Sequence, residues 1–247
     1  MKTTSLSDAK ALGGIDKVST AIDEKRVART AGILFIIATL ASILSLPFLG
    51  SINASNYLVS VSGNGNQVLI GAFLVLIGGA ASASIAISLY PILRKYNESL
   101  ALGAVGFRLV EGALYIVAVV GLLSLLTLSQ QFVKAGAPDS SYFQTSGVLL
   151  QGAYHWLGNV MPVLVFTIGA FMYYVVFYQT KLVPRWLSGW GLVGVTLCMI
   201  SGLLVMFGLI GPLSTPQVVL ALPIGVQEMA FAVWLIVKGF RNTGDLT

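Results

Sequence analysis

Charge is what this sequence has least of. Asp, Glu, Lys and Arg together make 9% of its 247 residues, against 56% hydrophobic residues, and a fold bathed in water cannot cover itself with so few charges. Cysteine is reduced to Cys198, inside an apolar run, which excludes an intramolecular disulfide and a thiolate metal site. Histidine is reduced to His155, too little for a membrane di-iron or zinc centre or a bis-histidine haem, so no metal and no cofactor is expected. No Walker loop, G-x-S-x-G elbow or HExxH segment occurs, and no lysine lies deep in an apolar run where a Schiff base would need it. A Ser or Cys nucleophile paired with His155 has nothing to single it out. The basic excess of +5 forms no stripe. Lys and Arg stand instead at the ends of apolar runs, which argues against nucleic acid and makes the lipid bilayer the expected partner.

What the chain does have is apolar stretches long enough to cross a bilayer, which takes about 20 residues. They run from Ala31 to Leu49, Val68 to Tyr90, Ala101 to Leu128, Val148 to Tyr178, Trp186 to Ile210 and Val218 to Val237. The expected fold is all-α: a polytopic membrane bundle of six transmembrane helices over residues 28–241, between an N-terminal tail, 1–27, and a C-terminal tail, 242–247. Asp8, Asp16, Asp23 and Glu24 precede the first run, unlike the short basic leader of a signal peptide, so that run is read as a retained helix. A short helix starting near Ser7-Asp8 is expected in the tail. The third and fourth stretches exceed what a bilayer requires, so they tilt, kink or project, and Pro162 invites a break in the fourth. The intervening segments Gly50 to Gln67, Ser129 to Gly147 and Gly211 to Gln217 read as short polar covers.

Direction follows from the basic residues, because cytoplasmic loops accumulate them. With the N-terminus inside, Lys25, Arg26, Arg29, Arg94, Lys95, Lys181, Arg185, Lys238 and Arg241 all flank cytoplasmic helix ends, and Lys134 alone lies outside. Both termini are therefore expected in the cytoplasm.

Three charged residues sit well inside apolar runs: Arg108 and Glu111 in the third, Glu228 in the sixth. At about 1.5 Å per residue they share a depth, some 12 to 16 Å from the cytoplasmic side. Each costs about 2.5 to 3.5 kcal/mol to insert, so such groups face the bundle interior and pair. A cluster of Arg108, Glu111 and Glu228 is expected, with Gln227 beside it and Pro223 and Gly225 bending the same helix. Two plainer accounts stand next to this one: Arg108 snorkelling to the inner headgroups, and Glu228 acting as a structural lock. Glu228 lies on a helix entering from outside, so its side chain leans away from the nearer surface.

In the fourth stretch Gln151, His155 and Asn159 recur at i, i+4 and i+8, an outer polar stripe on one helix face. It reads either as interhelical hydrogen bonding or as the wall of a pocket open to the outside. Gly71, Gly78, Gly79, Ala80, Ser82 and Ser84 make small-residue ridges in the second stretch, expected at a close helix contact.

The segments Arg29-Thr-Ala-Gly-Ile-Leu, Phe107-Arg-Leu-Val-Glu-Gly, Leu182-Val-Pro-Arg-Trp-Leu-Ser-Gly and Gln227-Glu, with Trp234-Leu-Ile-Val-Lys-Gly, occur in this order. Together they make the chain, from Arg26 to Arg241, resemble a bacterial membrane family known as domain of unknown function 4386. The resemblance implies a multi-pass protein of the bacterial inner membrane. It places Arg108, Glu111, Arg185 and Glu228 in the family's recognisable segments and implies no reaction.

The function these features favour is binding or transport of a small amphipathic molecule or lipid in a cavity inside the bundle, with Arg108, Glu111 and Glu228 at its inner end. A cofactorless intramembrane enzyme using Glu111 or Glu228 as acid or base is the less favoured alternative. The third reading is an accessory protein without a ligand, whose polar residues only lock helices together.

Overall fold

The computed structural model describes the backbone of residues 6–138 and 141–241 and, from Asp23 on, their side chains except that of Ser141. Helix α1 (Leu6–Phe48) is followed by a 3-10 turn (Gly50–Asn53), α2 (Tyr57–Gly63), α3 (Gly65–Leu93) and α4 (Glu98–Lys134). Then come α5 (Ser141–His155), a π-helical turn (Trp156–Val160), α6 (Met161–Thr180), α7 (Arg185–Met206) and α8 (Thr215–Val237). Among the described residues six helices are long and apolar enough to cross a membrane, the fourth being the joined stretch Tyr142–Thr180. The all-α membrane bundle read from the sequence is the fold found.

Short polar signals set the ends of these helices. Asn97 caps α4 by accepting a hydrogen bond from the Leu100 backbone N–H at 3.0 Å, with Glu98 in the first turn. Lys181 takes a left-handed conformation, φ 57°, and stops α6. Pro216 enters the first turn of α8, where its missing N–H costs nothing.

The spanning helices pack in chain order as a closed ring, α1 on α3, α3 on α4, α4 on α6, α6 on α7, α7 on α8 and α8 back on α1, while α2 and α5 lean on α4. The side holding Asp23, the 94–97 and 181–184 turns and Val237 is called proximal here, and the opposite side distal. Lipid is as apolar as the helix faces, so the ring is held by close packing and interhelical hydrogen bonds. The α1–α8 seam depends on a glycine: a Cβ at Gly32 would stand 2.7 Å from the Ala232 carbonyl oxygen. At Gly79 a Cβ would come within 3.1 Å of Tyr115, which lets that ring lie across α3.

Three segments differ from expectation. Residues 57–63, read as part of a polar cover, form α2, because Tyr57, Leu58 and Val61 fall on one helical face and bury against α4. Pro162 widens the fourth span instead of breaking it. Proline has no N–H for the Gly158 carbonyl, and the Met161 N–H reaches five residues back to Trp156 O. The helix expected near Ser7-Asp8 is continuous with the first span, since nothing between Leu6 and Pro47 breaks it. The C-terminal tail, 242–247, lies outside the described residues.

Candidate functional site

Polar chemistry inside the ring is concentrated at two levels. The proximal one is built around Arg108 of α4, which is 2% exposed and does not snorkel. One guanidinium nitrogen, Nη1, donates to Ser82 Oγ of α3 at 2.6 Å and to Glu111 Oε2 at 3.1 Å. The other, Nη2, donates to the Tyr173 hydroxyl of α6 at 2.8 Å and stands 3.7 Å from Glu228 Oε1 of α8. Ser82 Oγ in turn donates to Glu111 Oε1 at 2.9 Å, so both oxygens of Glu111 are engaged. The guanidinium carbon lies 4.4 Å from the centre of the Phe166 ring, an apolar lid on the charge. Arg108 Nε is buried without a hydrogen-bond partner.

The structure thus brings Arg108, Glu111 and Glu228 together, at unequal closeness. Glu111 is clamped, whereas the Glu228 side chain keeps 14% exposure and only the 3.7 Å contact. Gln227 belongs to a different network: it accepts from the Tyr174 hydroxyl at 2.5 Å and donates to Leu187 O at 3.0 Å, tying α8 to α6 and α7. Sequence reading had treated Ser82 as helix-contact material only and had left Tyr173 and Tyr174 unassigned. Adjacent tyrosines in the middle of an apolar span were the available signal, because a buried hydroxyl requires a partner.

The distal level is a partly open cavity of about 870 Å³ bordered by the end of α1, the 3-10 turn, α3, α4, the end of α5, the π turn, the start of α6, the 212–213 loop and the start of α8. All three stripe residues, Gln151, His155 and Asn159, line it. Gln151 Nε2 donates to Ile52 O at 2.7 Å, pinning the 3-10 turn over the cavity. Asn159 Nδ2 and His155 Nδ1 are 3.5 Å apart. Gln217 accepts from the Leu213 backbone N–H in a short bond, and both residues border the opening. Tyr115 and Val163, each 17 residues from the proximal end of its helix, make the cavity floor.

No Asp, Glu, Lys or Arg lines this cavity among the described residues. Arg108, Glu111 and Glu228 were expected at its inner end, but they are not in its wall. Glu111 precedes Tyr115 by four residues on α4, so the charged cluster lies about one helical turn, roughly 6 Å, beneath the cavity floor. Hydroxyls of the wall are partly committed: Ser42 Oγ donates to Ala38 O at 2.8 Å and Ser45 Oγ to Ser42 O at 2.8 Å, leaving their lone pairs for a guest. No group of three or more His, Cys, Asp or Glu placed to hold a metal occurs among the described residues.

The family model described as Domain of unknown function (DUF4386) matches residues 30–239. The chain belongs to the DUF4386 family. The match spans most of the first membrane crossing and all of the other five, the Arg108 cluster and the described cavity wall of this DUF4386 protein. No curated protein and no solved structure matches it.

Proposed function

We propose that this DUF4386 protein binds an uncharged amphipathic small molecule or lipid in its distal cavity. The observation that carries this reading is a cavity of about 870 Å³ whose wall mixes apolar side chains with amide, hydroxyl and imidazole groups and, among the described residues, holds no Asp, Glu, Lys or Arg. Ligand pockets of roughly 300 to 1,000 Å³ are built in this way, with a few polar groups orienting an otherwise apolar guest. A charged headgroup inside it would lose its hydration without an ionic partner. Binding fits better than passage, because below Tyr115 the ring is filled by buried aromatic side chains and the Arg108 cluster. Among the described residues an acid–base enzyme reading finds no carboxyl group in the cavity wall to act with.

We infer further that the proximal face is cytoplasmic, since nine basic residues flank proximal helix ends and Lys134 stands at a distal one. The cavity then opens toward the outside. Native mass spectrometry of the protein released from lipid nanodiscs tests the ligand reading. An uncharged amphiphile should be retained by the wild type and lost from Gly152→Phe, which places a ring in the cavity. Wild-type protein that carries nothing, or an equal load in the variant, overturns the proposal.

A further inference from the structure

The Arg108 cluster raises a question of charge that the cavity reading does not use. Two carboxyl groups, Glu111 and Glu228, share one guanidinium, so with both ionised the cluster would hold a net negative charge inside the membrane. An uncompensated charge at that depth is costly. Among the described residues the remaining neighbours bring no cation: α6 presents Tyr173 and Tyr174, α7 presents Cys198, and α1 meets α8 through Gly32 and Phe35. Gln227, beside Glu228 on α8, is neutral and already bonded.

Geometry identifies which carboxyl group is in excess. Glu111 accepts at both oxygens, from Ser82 at 2.9 Å and from Arg108 at 3.1 Å, the pattern of an ionised acceptor. Glu228 accepts no hydrogen bond from a described residue, stands 3.7 Å from Nη2 and retains 14% exposure. Arg108 meanwhile keeps a buried, unpartnered Nε–H, so its donors are not used up by the acceptors around it. A neutral acid beside a guanidinium leaves such a gap, whereas an ionised one closes it to about 2.8 Å.

We propose that Glu228 is a proton-binding site, holding the one exchangeable proton of this cluster. Release breaks the O–H bond of Glu228 and transfers the proton to a water molecule as hydronium. The carboxylate left behind then pairs with Arg108, so the hold of α8 on α4 follows the protonation state. The inference is independent of what occupies the cavity.

Infrared spectroscopy of the full chain in nanodiscs reads this directly. Wild type at neutral pH should show one protonated-carboxyl C=O stretch that shifts in D₂O and fades as pH rises. Glu228→Asp should move the band, and Glu111→Asp should leave it in place. The wild-type spectrum needs no variant, so a variant that fails to fold does not leave the matter open. Absence of a protonated carboxyl at neutral pH, a band that follows Glu111→Asp, or a band removed by sodium ions at constant pH overturns the proposal, the last by assigning the site to a metal cation.

Discussion

From Glu111 down to the proximal surface the ring is solid. Phe35, Tyr173, Tyr174, Phe177 and Phe231 are each at most 1% exposed and meet in edge and tilted contacts, with centroids 4.6 to 6.4 Å apart. Above Tyr115 the same helices enclose open space lined by serines, amides and one imidazole. The difference lies in how polar groups are used. Near the filled half they bond to one another across helices, Arg108 to Ser82 and Tyr173, Tyr174 to Gln227. Around the cavity Ser42 and Ser45 bond within their own helix and Gln151 bonds a carbonyl of the 3-10 turn, so these wall groups do not draw the helices together. At that end α2, α3 and α4 close by apolar packing, and Tyr57 to Gln144 O and Ser201 to Gln217 O join helices beside the cavity. Rigidity at one end and room at the other come from one ring without a change of topology.

The contrast can be broken most forcefully at its hub. Arg108→Gln leaves the buried Glu111 carboxylate without its cation, and breaking a buried pair in this way costs about 3 to 5 kcal/mol. The expected result is a large fall in folded yield and in apparent melting temperature in detergent. Gly32→Ala comes next. Its methyl group meets the Ala232 carbonyl, a backbone atom that cannot step aside alone, and overpacking of this kind costs about 1 to 3 kcal/mol. Thermal unfolding should show a smaller loss than Arg108→Gln. At Gly152, on the cavity wall, a Cβ has no atom within 4 Å. Gly152→Phe should therefore change stability by less than about 0.5 kcal/mol while displacing the guest, since substitutions clear of packed features fall in that range. A large drop in melting temperature for Gly152→Phe would show that the distal half is as tightly packed as the proximal one.

How much of this the sequence disclosed depended on the length scale of the signal. Membrane spans are read from runs of about 20 apolar residues, and those needed no tertiary information. The shared depth of Arg108, Glu111 and Glu228 was also legible, because rise per residue converts position into height. Their unequal closeness was not. Whether Glu228 sits 2.8 or 3.7 Å from a guanidinium depends on helix rotation and on partners such as Ser82 and Tyr173, none of which leaves a periodic trace. The stripe Gln151, His155 and Asn159 was visible as spacing, but its facing a cavity required knowing that the 3-10 turn and the 212–213 loop fold over it. Helix α2 was missed because seven residues are too few for a periodic pattern to stand out among polar neighbours.

The widened turn at Trp156–Val160 has a consequence for phase. A π turn is equivalent to one residue inserted into an α-helix, and one residue corresponds to about 100° of rotation. Upstream of it Gln151 and His155 look into the cavity; downstream Thr167, Ala170, Tyr173 and Tyr174 are buried in the filled half. The fourth span is in effect two helices whose sequence phases differ by one residue, so that the polar stripe above and the aromatic face below both point into the ring. Straightening the turn with every residue kept would swing one of those faces about 100° toward lipid, whereas removing Leu157 along with the turn would leave both inside.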